Sequence, residues 1–91
     1  MDELRISRHA VARFIERCAK LGFMSPAQPE NTIRKLLNRA VRENMDPVRY
    51  VIRLIEHGEE VEYLVADGWR FIVTMDGRRV LTAERIKPEQ N

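Results

Sequence analysis

The sequence predicts a small α+β domain in which two or three N-terminal helices pack on a small antiparallel sheet. Three observations carry this reading. Apolar residues recur at helical spacing in three segments before Gly58, the period changes to two from Glu60 onward, and two Asp-Gly pairs punctuate that alternating stretch. A chain of 91 residues has room for one modest core, so a single domain over 1–91 is expected. With 44% hydrophobic and 33% charged residues, the composition is that of a folded chain rather than a disordered one.

Leu4 and Ile6 alternate with Glu3 and Arg5, which predicts a short strand within 1–6. A first helix follows over 7–21. Ser7 is placed to cap it, Gly22 to end it, and Val11, Phe14, Ile15, Cys18 and Leu21 to form its apolar face. The loop FMSPAQP leads to a second helix over 29–44. There Ile33, Leu36, Leu37, Ala40 and Val41 form an apolar stripe, and Lys35, Asn38, Arg39 and Arg42 a basic one. Asp46-Pro47 is a helix-start signal, and Val48, Val51, Ile52 and Ile55 repeat helically up to Gly58, so a third helix is expected over 47–57. The β-branched content of VRYVIRLI keeps a strand open as the alternative there.

Three alternating runs over 60–86, EVEYLVA, WRFIVTM and RVLTAERI, predict a strand meander joined at Asp67-Gly68 and Asp76-Gly77 by two-residue primed turns. Such turns would set Leu64 opposite Phe71, Tyr63 opposite Ile72, Val73 opposite Val80 and Ile72 opposite Leu81. One face would then gather Leu64, Trp69, Phe71, Val73, Val80 and Thr82. The other would gather Val61, Tyr63, Val65, Arg70, Ile72, Leu81 and Arg85. The helices are expected on the Trp69/Phe71 face, leaving the arginine-bearing face partly open. Residues 87–91 read as a polar tail.

Charge is distributed unevenly. Residues 1–45 carry nine Lys/Arg against five Asp/Glu, and residues 46–91 carry seven against nine. Thirteen of the sixteen cations are Arg, whose planar fork suits phosphate and carboxylate. The single cysteine, Cys18, cannot form an intramolecular disulfide, which fits a reducing compartment. No apolar leader opens the chain and no apolar run is long enough to span a bilayer, so a cytoplasmic protein without membrane contact is expected.

His9, Arg13 and Arg17 recur every four residues and form a row on one helix surface. An imidazole that exchanges protons near neutral pH, beside guanidinium groups that steady extra phosphate charge, suits metal-free cleavage of RNA by 2′-hydroxyl attack. The bland reading of the same row is a solvated helix face. His57, just before Gly58, suits the C-terminal helix dipole. Two distant histidines without a cysteine pair make no zinc site, so no metal or cofactor is expected. Lys35, Arg39 and Arg42 are candidates to follow a nucleic-acid backbone, and Tyr63, Arg70 and Arg85 to face RNA from the sheet. Trp69 and Phe71 alternate as core residues do and would stack on bases only if exposed.

The N-terminal pattern Ser-x-His-Ala-x-x-Arg-x-x-x-Arg, present as Ser7, His9, Ala10, Arg13 and Arg17, resembles a family of short prokaryotic and phage domains. Trp69-Arg70-Phe71 and Val80-Leu81-Thr82 look like that family's late strands. The family is similar to the RelE/ParE-like toxin group. The resemblance implies a RelE-like fold and an RNA-directed protein, in its sharpest form a metal-independent endoribonuclease toxin of a toxin–antitoxin pair. In that form His9 would be the acid/base and Arg13, Arg17 and Arg70 would hold phosphate, with RNA or the ribosome and an antitoxin protein as partners. The alternative is a non-catalytic module of the same fold that binds nucleic acid or protein. The sequence leaves the oligomeric state open.

Overall fold

A computed structural model describes residues 4–23, 26–75 and 79–86. The elements run β1 (Arg5–Ile6), α1 (Arg8–Lys20), α2 (Pro29–Asn38), β2 (Val41–Arg42), α3 (Pro47–His57), β3 (Val61–Ala66), β4 (Trp69–Thr74) and β5 (Arg79–Arg85). The strands form one five-stranded sheet in the order β1-β5-β4-β3-β2. β1 lies parallel to β5 and every other pairing is antiparallel, so the sheet is mixed. The α+β class, with N-terminal helices on a sheet, is as expected.

α1 is defined by its ends. The Ser7 hydroxyl accepts a hydrogen bond from the Ala10 amide at 3.0 Å and donates one to the Leu81 carbonyl at 3.1 Å, so the cap also ties the helix to β5. At the other end Gly22 adopts φ 78°, and the amides of Gly22 and Phe23 donate back to the carbonyls of Ala19 and Cys18. That paired pattern is a Schellman closure, which needs a left-handed residue where Gly22 sits. Ala10, Phe14 and Cys18 then face inward and meet Ile33 and Leu36 of α2 over Trp69, Phe71, Val73, Val80 and Ala83. Phe14 and Trp69 anchor this core with ring centroids 4.4 Å apart.

α2 stops at Asn38, short of the expected 44. Val41 and Arg42 instead pair with Val65 and Leu64, and the Glu43 amide donates to the Tyr63 carbonyl at 2.8 Å. The open edge of β3 carries backbone groups that need partners, and pairing them outweighs continuing the helical period. Ala40 and Val41 are therefore not part of a helical stripe, and Val41 is exposed. β2 also takes the chain from one side of the sheet to the other.

α3 forms where expected and excludes the strand alternative. The Asp46 carboxylate accepts from the Arg49 amide at 2.9 Å, Pro47 opens the helix, and Gly58 closes it at φ 72°. It does not join the main core: none of its residues is buried. It crosses the opposite face of the sheet, where Val61, Tyr63 and Ile72 form a second, smaller cluster with Met45 and Leu81 beside it.

The β3–β4 hairpin has the predicted register, including Leu64 opposite Phe71 and Tyr63 opposite Ile72. Asp67 and Gly68 both have positive φ, as a primed turn requires. Val73 faces Val80 as predicted, but Ile72 faces Thr82 rather than Leu81, because the β4–β5 register shifts between Ile72 and Val73. One extra residue in a strand reverses the facing of everything beyond it. Thr82 thereby leaves the Trp69 face, Ala83 enters the core opposite Phe71, and Arg85 comes opposite Trp69 instead of joining Arg70. The expected turn at Asp76-Gly77 and the tail at 87–91 lie outside the described residues.

Candidate nucleic-acid interface

The row on α1 survives as a surface. Its inward face is committed to the core, so His9 is left exposed and Arg13 and Arg17 half-buried. Arg13 pairs with Glu16 at 3.3 Å, and Lys20 reaches the same carboxylate at 3.7 Å. Arg8 is exposed, and the Arg17 Nε is enclosed without a hydrogen-bond partner among the described residues. Across α1 and α2 six Lys/Arg stand against two Glu, Glu16 and Glu30, so the excess positive charge lies on this helix layer.

Arg70 is elsewhere. It alternates with Trp69 and Phe71, so it projects from the opposite face of the sheet to α1. Its guanidinium grips Glu43 through two bonds of 2.9 and 2.8 Å and reaches Glu84 at 3.3 Å. The Glu43 bond is the main reason its pKa lies above the ordinary arginine value, with burial acting the other way. Two carboxylates thus satisfy the group expected to hold phosphate. The set His9, Arg13, Arg17 and Arg70 does not form one site, because the sheet separates its members.

Tyr63 is fully buried rather than presented to a ligand. The Arg70 and Arg53 guanidinium carbons stand 5.2 and 5.5 Å from its ring centroid. Burial pushes its hydroxyl pKa up, and that hydroxyl has no partner among the described residues. Arg85, on the other face, lies over the Trp69 ring at 5.4 Å and donates to the Asp67 carbonyl at 3.0 Å. Its guanidinium passes so close to Gly68 that an added Cβ would stand 2.9 Å from it. Arg85 therefore braces the β3–β4 turn.

The expected Lys35–Arg39–Arg42 stripe is divided. Lys35 is exposed on α2, Arg39 is ion-paired with Asp67 beyond the helix end, and Arg42 lies on β2 with Glu62 at 2.7 Å. Trp69 and Phe71 are buried, which closes them to base stacking. Burial pushes the Cys18 thiol up, with Arg85 opposing, so the thiol is a core group rather than a poised nucleophile. Among the described residues, no three His, Cys, Asp or Glu side chains gather as metal ligands. No helix among them is long and apolar enough to cross a membrane.

Sequence reasoning missed Glu43 and Glu84 as the partners of Arg70. Arg70 faces Glu84 directly across the sheet, a pairing visible only once the bulge is known. It also missed Arg53, whose helical neighbours gave no sign that it would cover Tyr63. Comparison with protein-family models, curated proteins and solved structures returns no match to this chain.

Proposed function

We propose that this chain is a non-catalytic, RNA-directed binding module that lays the outer face of α1 along a phosphate backbone. The carrying observation is the charge of the helix layer: six Lys/Arg against two Glu on α1 and α2, with Arg13, Arg17 and Lys20 within about 60° of one another on α1 and, among the described residues, only Glu16 paired there, with two of the three. The resemblance of the Ser7–Arg17 pattern to a family of short prokaryotic and phage domains, itself similar to the RelE/ParE-like group, favours RNA as the anion. The cleavage set draws on Arg70 to hold phosphate beside His9, and Arg70 is held by Glu43 and Glu84 on the far side of the sheet.

Fluorescence anisotropy with fluorescein-labelled single-stranded and duplex RNA tests this. Each phosphate contact removed should reduce the salt slope by about one unit. Joint replacement Arg13→Ala, Arg17→Ala and Lys20→Ala should therefore flatten the salt dependence and weaken binding by about tenfold or more. Equal binding by the triple variant would refute the module. RNA cleavage that disappears in His9→Ala would replace it with the nuclease.

A further inference from the structure

α3 is turned inside out. Val48, Val51, Ile52 and Ile55 are 68%, 51%, 48% and 75% exposed. The side toward the sheet carries Tyr50, Arg53, Leu54 and His57, with Arg49 at its edge, all half-buried. Tyr50 donates to Glu60 at 2.8 Å and Arg53 covers Tyr63, so the helix is held by its polar side. A contiguous apolar stripe facing water marks an interaction surface.

We infer that this stripe is the interface of a two-fold homodimer in which α3 packs antiparallel against α3 of a second copy. The stripe matches its own reverse. Centring the two-fold axis between Val51 and Ile52 sets Val48 level with Ile55 of the other copy, and places Val51 and Ile52, on opposite flanks of the stripe, each beside its own counterpart. An isologous contact requires this self-complementarity.

The flanking charges choose the direction. At about 100° per residue, Arg49 and Glu56 fall within about 20° of one another, on the same flank of the stripe and at opposite ends of it. An antiparallel pair brings like flanks together, so Arg49 of each copy comes less than a turn from Glu56 of the other. A parallel pair would set that flank against Pro47 and Leu54, which carry no charge. Arg49 makes no ion pair among the described residues, and Glu56 meets Arg53 through a single carboxylate oxygen. The acidic groups nearby do not oppose approach, since Glu43, Glu59 and Glu62 are engaged by Arg70, Arg79 and Arg42.

The contact is small. A helix of eleven residues is about 16 Å long, and its stripe falls below the roughly 800 Å² per partner of a standard interface. A dissociation constant on the order of micromolar is expected, rather than an obligate dimer.

Sedimentation equilibrium on the full chain, from about 1 μM to about 1 mM, tests the inference. The wild type should self-associate, and Ile55→Asp should weaken the dimer by about a hundredfold while the circular dichroism spectrum is unchanged. Arg49→Glu and Glu56→Arg should each weaken it about tenfold, and the double variant should regain most of the loss. The charge series leaves the apolar stripe intact, so it decides the matter even if Ile55→Asp unfolds. A wild type that stays monomeric throughout, a dimer indifferent to Ile55→Asp, or a double variant without recovery would each overturn the inference. Monomeric protein that instead captures an unrelated helix would assign the stripe to a different partner.

Discussion

α1 and α3 are both short amphipathic helices with a capping side chain at one end and a left-handed glycine at the other, yet they meet the sheet in opposite senses. α1 turns Ala10, Phe14 and Cys18 into a dry core and leaves its charges in water. α3 sets Tyr50 and Arg53 toward the sheet and leaves Val48, Val51, Ile52 and Ile55 outside. The difference follows from what each side of the sheet offers. The Trp69/Phe71/Val73 face is apolar and takes an apolar helix. The opposite face carries the Glu43–Arg70–Glu84 ion pairs around a buried tyrosine, and packing valines over those charges would strip them of the solvent that still reaches them. Amphipathicity predicts that a helix has two faces, and the surface beneath decides which one is buried.

The sharpest way to break this comparison is at the α1 core. Phe14→Ala should cost about 3–5 kcal/mol, because it empties a site packed on Trp69. Urea denaturation measures this, and a loss below about 1 kcal/mol would show that α1 is not the principal seal. On the far side, Arg70→Ala should cost about 2 kcal/mol by the same measurement. It strands two partly solvated carboxylates, which places it below the cost of breaking a fully buried pair. Ile55→Ala in dilute protein should change stability by less than about 0.5 kcal/mol, since its side chain is already in water.

Tyr63→Phe should be nearly neutral at pH 7, since it removes a hydroxyl with no partner among the described residues. Its effect should show instead in alkali. Burial raises the Tyr63 pKa, and the hydrogen bond to Glu60 raises that of Tyr50. A folded-state value above the unfolded one, about 10, means full stability below that pH and loss as pH climbs through the folded values. Melting temperatures of Tyr63→Phe should therefore fall less steeply than wild type above about pH 10. Parallel curves for the two proteins would contradict the buried hydroxyl.

Much of this was legible because it is local. The caps at Ser7, Asp46, Gly22 and Gly58 and the turn at Asp67-Gly68 each rest on the chemistry of a few neighbouring residues. The β3–β4 register followed from that turn and from alternation. What the sequence hid is non-local. The bulge near Val73 leaves no mark in RVLTAERI, yet it decides whether Thr82 or Ala83 enters the core and which aromatic ring Arg85 covers. Val41–Arg42 continues a helical period and becomes a strand only because β3 has an edge to fill. The candidate site suffered most from this. Its residues were sorted by sheet face, and one extra residue in β5 together with the inverted α3 moved Arg85, Tyr63 and Arg70 into structural contacts. The α1 row depended on one capped helix alone, and it remains on the surface.

Thiol reactivity tests the contrast between the two helices most directly. Cys18 is 5% exposed on α1, and Ile52 is 48% exposed on α3. In dilute protein, Ile52→Cys in a Cys18→Ala background should react with a maleimide within about tenfold of a free thiol. Wild-type Cys18 should react at least about a hundredfold more slowly, waiting on opening of the core. Equal protection of both thiols at that dilution would mean that α3 buries its apolar stripe as α1 does, and would contradict the account.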